Sequence, residues 1–272
     1  MTVSPEFALS EAGSVQLQAL ATLSALGWRY LPRAKADQLR AHRRSSAVLE
    51  GLLAEQLARI NRIQRGERVY AFSDANIQDA VGRLTDVRFD GLLATNERLS
   101  DLLHLGIDPQ QTIEGLSRSW KLNYVDWNDW RANDFAMTAE YSVSSESGST
   151  IRADIVLFVN GVPWAVIETK NARVTTEQGI SQQLRNQKPD QGVPGLYYTA
   201  QLLIAANSHA PRYATIGTPA KLWSTWTEKE DDPRWVADIL NRPLDSIEAH
   251  AIFSDIQNQQ RRQTCLKEAG GR

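Results

Sequence analysis

Nineteen residues, "RADIVLFVNGVPWAVIETK" at positions 152–170, constrain the fold of this chain more than any other stretch. Two runs of β-branched and aromatic residues flank Asn160-Gly161, a turn signal for a β-hairpin. Asp154 lies inside the first apolar run, and Glu168 and Lys170 close the second. A carboxylate buried without a partner costs several kcal/mol at least, so the fold must bring it a cation, a metal or several donors. Glu168 and Lys170 are two residues apart and project from one face of a strand. Asp154 joins them only if the hairpin has the right parity. A two-residue turn pairs Val159 with Val162 and sends Asp154 to the other face. A three-residue loop with Gly161 at a left-handed bulge pairs Phe158 with Val162, sets Asp154 opposite Val166 and puts Glu168 diagonally beyond it. A shared site therefore predicts the odd loop; a two-residue turn with no bulge elsewhere would count against it.

Around this hairpin the chain divides in three. Residues 1–70 read as an N-terminal helical segment. Ser10 is a candidate cap, Val15, Leu17, Leu20, Leu23 and Leu26 recur mostly at helical spacing, and Gly27 is a left-handed stop. One long or two short amphipathic helices follow between Lys35 and Ile63. Residues 71–230 read as the core domain. From residue 66 to about 135 the chain suggests irregular connections with a short strand or helix here and there. Beyond it "FAMTAEYSV" forms a third antiparallel strand, and Thr175 with Gln178 has the spacing of a capping box opening a helix that Pro189 stops. "QLLIAAN" and "YATIG" supply further strands, whereas "KLWSTW" and "PRWVADIL" read as helix or loop. Residues 231–272 read as a C-terminal helical tail or linker. The fold class expected is α/β (α+β), a mixed central sheet flanked by helices.

Several function classes fall away on composition. No run approaches the roughly 18 apolar residues of a membrane span, and the first residues lack a signal pattern, so a cytoplasmic location is expected. Cys265 is the only cysteine, which excludes an internal disulfide and a cysteine-rich zinc site. His42, His104, His209 and His250 show no ligand spacing. The formal net charge of −2 conceals a basic N-terminal balance: residues 1–70 hold ten Lys/Arg against six Asp/Glu.

Two carboxylates sharing one face repel each other unless a hard divalent cation takes oxygen ligands from both, which makes Mg²⁺ the natural choice. Lys170 would then orient or deprotonate a water, or stabilise developing charge on a phosphate. A purely structural Asp154–Lys170 pair is the competing reading, since an acid and a lysine at alternate strand positions are common.

"ADIVLFVNGVPWAVIETK" resembles the nuclease core of HsdR, the restriction subunit of type I restriction-modification enzymes, with its PD-(D/E)xK motif. "SEAGSVQLQALATLSALGWRYL", "DWNDWRANDFAMTAEYSV", "ISQQLRNQ", "GLYYTAQLLIAAN", "YATIG" and "LWSTW" follow the family's order over residues 8 to 230. The resemblance implies a Mg²⁺-dependent endonuclease on duplex DNA, with Mn²⁺ able to substitute. It implies Asp154 and Glu168 as metal ligands, Lys170 as the catalytic lysine and Gln182 as the first position of a Gln-x-x-x-Tyr motif. Asn186 stands where that motif has tyrosine, Ala153 where the family has proline, and Thr169 where an apolar residue is common. Glu11 is a further candidate from the first helix, and Arg152 and Lys188 are candidates for DNA phosphates. Implied partners are the modification and specificity subunits. ATP would serve only a full-length subunit with its translocase motor; no phosphate-loop pattern occurs in these 272 residues. A catalytically inactive scaffold or nucleic-acid-binding module of the same fold is the alternative.

Overall fold

A computed structural model describes residues 11–145, 148–171, 174–207 and 211–225. All of them lie in one compact unit, Met1–Trp226. The expected helical tail, with "PRWVADIL", falls outside the described residues, as do Ser10 and Trp226.

Helix α1 (Glu11–Ala25) ends as the glycine predicts. Gly27 adopts φ +94, and Trp28 N–H reaches the Leu23 carbonyl while Gly27 N–H reaches Ser24, a Schellman closure. Strand β1 (Arg29–Tyr30) follows, then two short helices, α2 (Arg33–Leu39) and α3 (Glu50–Ile60). Small hairpins β2 (Ile63–Arg65)–β3 (Arg68–Tyr70) and β4 (Gln110–Ile113)–β5 (Leu116–Ser119) bracket two further helices. These are α4 (Asp74–Thr85) and α5 (Leu92–Leu105), fuller helices than the occasional short element expected in this stretch. In α4 the helix was legible after all: the Ser73 hydroxyl caps Asn76 N–H, and Ile77, Ala80, Val81 and Leu84 form a buried stripe at helical spacing. Helix α5 opens on Gly91 without a side-chain cap, but Thr95, Leu99 and Leu103 are buried at helical spacing and Gly106 stops it at φ +65.

The main sheet contains β6 (Phe135–Ser144), β7 (Thr150–Val159), β8 (Val162–Thr169), β9 (Leu202–Ala206), β10 (Arg212–Ala214) and β11 (Ser224–Thr225). With β1 it has seven strands in the order β1-β6-β7-β8-β9-β10-β11. β1 is parallel to β6 and β8 to β9, and the other neighbours are antiparallel, so the sheet is mixed. A parallel β8–β9 pair needs a crossover, and α6 (Thr176–Asn186) supplies it. Thr175 is its N-cap residue but makes no side-chain cap bond, so the predicted capping box is not closed.

Both faces of the sheet are covered, which explains the near-continuous apolar runs of β7 and β8. On one face Leu20 of α1 packs with Met137, Ile155, Leu157, Ala165 and Ile167. On the other, Leu49 at the N-cap of α3, Leu52 within it and Ile180 of α6 pack with Val156, Phe158, Val166 and Leu203. Trp223 is also in this second core.

Candidate metal-dependent active site

The hairpin turn has two residues, not the three expected. Val159 pairs with Val162, and Asn160 and Gly161 adopt φ +52 and +83. Buried contacts fix this turn. Asn160 donates to the Tyr124 carbonyl and to Asn133 Oδ1 and accepts from Asp134 N–H, while the Gly161 carbonyl accepts from Leu49 N–H at 2.8 Å. Parity is restored by a bulge one row on: Phe158 pairs with Pro163 but Leu157 with Ala165, leaving Trp164 as the extra residue. Val156 then faces Val166 and Ile155 faces Ile167, so the next row sets Asp154 across from Glu168. The expected placement opposite Val166 is replaced by a closer one.

At this row the strands part. The Thr169 N–H and hydroxyl both donate to Asp154 Oδ2, at 2.7 and 3.0 Å. Among the described residues Asp154 Oδ1 has no hydrogen-bond partner, so one oxygen is pinned and the other is available. Glu168 is fully buried and neither of its carboxylate oxygens accepts a hydrogen bond. Lys170 Nζ lies 3.6 Å from Glu168 Oε2. Burial, and then the charge of Asp154, push the Glu168 carboxyl up to about 8; Lys170 opposes the shift.

Lys170 is held from α6. Its ammonium donates to Gln182 Oε1 at 2.8 Å. The helix comes this close because Gly179 has no side chain: a Cβ there would lie 3.2 Å from Ala205 Cβ and 3.6 Å from Lys170 Cγ. Lys170, Glu177, Gln178, Ser181, Gln182 and Arg185 line an open cleft of about 380 Å³. The Asp154–Lys170 ion pair that the structural reading requires is not formed among the described residues.

The donor set fits a hard cation. A buried acid with neither oxygen hydrogen-bonded, and one ammonium 3.6 Å away, faces a second acid with one free oxygen, and this arrangement is costly unless a proton or a cation enters. Among the described residues no group of three or more His, Cys, Asp or Glu is arranged to hold a metal. Two carboxylates with waters completing the shell is the arrangement Mg²⁺ commonly uses.

Asp154, Glu168, Lys170 and Gln182 are thus brought together. Glu11 begins α1, but its side chain lies outside the described residues. Arg152 is exposed on β7, its Nε 2.7 Å from Glu140 Oε2. Lys188 is exposed beyond the end of α6. Sequence reasoning missed Thr169, Gln16 and Glu140. Gln16 stands four residues before Leu20 and seven before Leu23, a polar residue on the buried stripe of α1, and that was a readable signal.

Residues 8–221 match the family model of the type I restriction enzyme R protein N terminus. A type I restriction enzyme SsaAORF53P endonuclease subunit from Staphylococcus saprophyticus is 25% identical over 153 residues, covering 55% of this chain and 15% of that protein. The HindI endonuclease subunit from Haemophilus influenzae is 26% identical over 157 residues, 56% of this chain and 14% of its own length. A putative MjaIXP endonuclease subunit from Methanocaldococcus jannaschii is 25% identical over 138 residues, 48% of this chain and 13% of that protein. The matched stretch thus spans about one seventh of these curated relatives. No helix among the described residues is long and apolar enough to cross a membrane. A match over most of the chain shows that it belongs to the type I restriction enzyme R protein N-terminal family.

Proposed function

We propose that this chain is the endonuclease portion of a type I restriction subunit, hydrolysing phosphodiester bonds of duplex DNA with Mg²⁺ held by Asp154 and Glu168. The observation that carries the reading is Glu168, fully buried with neither oxygen hydrogen-bonded and set across from Asp154. Mn²⁺ would occupy the same ligands. When bound, such a cation supplies Lewis acidity and a more acidic water.

The chain's own residues do the rest. Thr169 holds Asp154 through Oδ2, which leaves Oδ1 as the oxygen that would take the cation. Gln182 holds the Lys170 ammonium at the rim of the cleft, within reach of both Glu168 and an incoming phosphate. A positive charge placed there favours the extra negative charge that a phosphate gains on attack, and its N–H groups can orient the attacking water. Arg152 and Lys188, both exposed, are the residues assigned to phosphates of the duplex, a contact class that positions DNA without reading its sequence. Sequence choice is assigned to a specificity subunit acting with a modification subunit, and ATP to the motor of a full-length restriction subunit.

Nicking of supercoiled plasmid tests this directly. With Mn²⁺ or Mg²⁺ the chain converts supercoiled to open-circular DNA, and Lys170→Ala and Asp154→Ala abolish the conversion. Equal nicking by wild type and both variants would refute the assignment. If wild type does not nick, the active-nuclease reading is lost and an inactive scaffold of the same fold takes its place.

A further inference from the structure

Strands β6 and β7 pair without a register shift, yet the row containing Glu140 and Asp154 is skipped: Ala139 pairs with Ile155 and Tyr141 with Ala153. Glu140 adopts φ +57 in mid-strand, a backbone region that L side chains other than Asn or Asp seldom enter. Across this row the apolar residues change sides. Met137 and Ala139 pack with Leu20 beneath α1, whereas Tyr141 and Val143 lie in the opposite core. On β7, Ile155 and Leu157 belong to the α1 side, and Ile151 and Ala153 to the other. The two strands therefore turn over together at the residues facing each other, Glu140 and Asp154.

One side chain from α1 closes this break. Gln16 is buried, and its Nε2 donates to the Asp154 main-chain carbonyl at 2.7 Å and to Glu140 Oε1 at 3.2 Å. Both amide hydrogens are thereby used. Glu140 Oε2 in turn receives Arg152 Nε at 2.7 Å. A residue that only anchored α1 to the sheet would need neither the left-handed Glu140 nor its coincidence with the row of Asp154.

We infer that Gln16 and Glu140 are positioning residues that hold the overturned strand and so aim Asp154 at the cation. The inference rests on the metal-site reading above. It assigns Glu140 a supporting place outside the ligand pair, where outer contacts of metal sites typically change affinity by about 10- to 100-fold.

Calorimetric titration of the full chain with Mn²⁺ alone, beside its melting temperature without metal, decides the matter. Gln16→Ala is expected to bind Mn²⁺ about tenfold more weakly or worse. Glu140→Gly guards against a folding failure, since glycine enters φ +57 freely; it should keep its melting temperature and still lose affinity to a similar degree. Glu140→Gln, which retains the acceptor for Gln16, should restore most of the binding. Wild-type affinity in Glu140→Gly overturns the inference, whatever Gln16→Ala does to stability. If wild type itself shows no Mn²⁺ binding, the metal-site reading falls and this inference with it; normal wild-type binding with unaffected variants removes the inference alone.

Discussion

Replacing Glu168 by Gln should stabilise the cation-free protein, and by an amount that depends on pH. In the folded chain this carboxyl titrates at about 8, against an ordinary value of 4.5, mainly because it is buried and secondly because Asp154 is beside it. A raised acid contributes stability that is fully present below the unfolded value and is lost as pH rises through the folded one. The wild type should therefore lose about 1.4 kcal/mol per pH unit between roughly pH 5 and 8 from this group. By pH 7 the loss amounts to roughly 3 kcal/mol, and it levels off above the folded value. Glu168→Gln cannot ionise, and its neighbours impose only a constant offset. Urea unfolding in EDTA, run on wild type and variant from pH 5 to 9, isolates Glu168 as the difference between the two curves. That difference should widen steadily in the variant's favour up to about pH 8, and Mg²⁺ should narrow it by stabilising only the wild type. A difference that is flat with pH would show that Glu168 is not held in an ionisation-averse site, and the reasoning from its oxygens without hydrogen bonds would fail.

Four other outcomes follow from the same geometry. Mn²⁺ binding should weaken by about tenfold for each pH unit below 8, because the cation competes with the Glu168 proton; calorimetry at pH 6, 7 and 8 measures it. Thr169→Val keeps the backbone donor to Asp154 but removes the hydroxyl, and should lower the nicking rate about tenfold or less with little change in melting temperature. Gln182→Ala frees the Lys170 ammonium and should slow nicking while leaving Mn²⁺ affinity unchanged, a separation visible by running both assays on one preparation. Gly161→Ala places a Cβ 2.8 Å from the Leu49 carbonyl at φ +83, so urea unfolding should show a loss of about 2 kcal/mol or more.

Much of the architecture was legible because the β7–β8 hairpin is patterned so strongly. A glycine-stopped first helix, three antiparallel strands and a crossover helix ending before Pro189 all stand in the structure. The parity of the hairpin was not legible. Period-two counting fixes which residues share a face only if the strand is regular, and Trp164 bulges out of the ladder without any glycine to mark it. Nor did the alternation of "TAEYSV" betray that Glu140 is left-handed or that its carboxylate meets Gln16 and Arg152, residues distant from it in sequence. The acids were conspicuous for a physical reason: a charge in an apolar run is costly, and the sequence shows the cost directly. Their supports, Thr169 and Gln16, are ordinary polar residues whose roles depend on which elements meet. The resemblance pointed to Gln182, and the structure adds why it reaches Lys170: Gly179, one turn earlier, lets the helix close on the sheet.

Anomalous diffraction from Mn²⁺-soaked crystals tests the central claim most directly. The account predicts one strong peak about 2.1 Å from Asp154 Oδ1 and from a Glu168 oxygen, with water completing the shell, and its disappearance in Glu168→Gln. A peak that persists in the variant, or density touching only one of the two carboxylates, would contradict it.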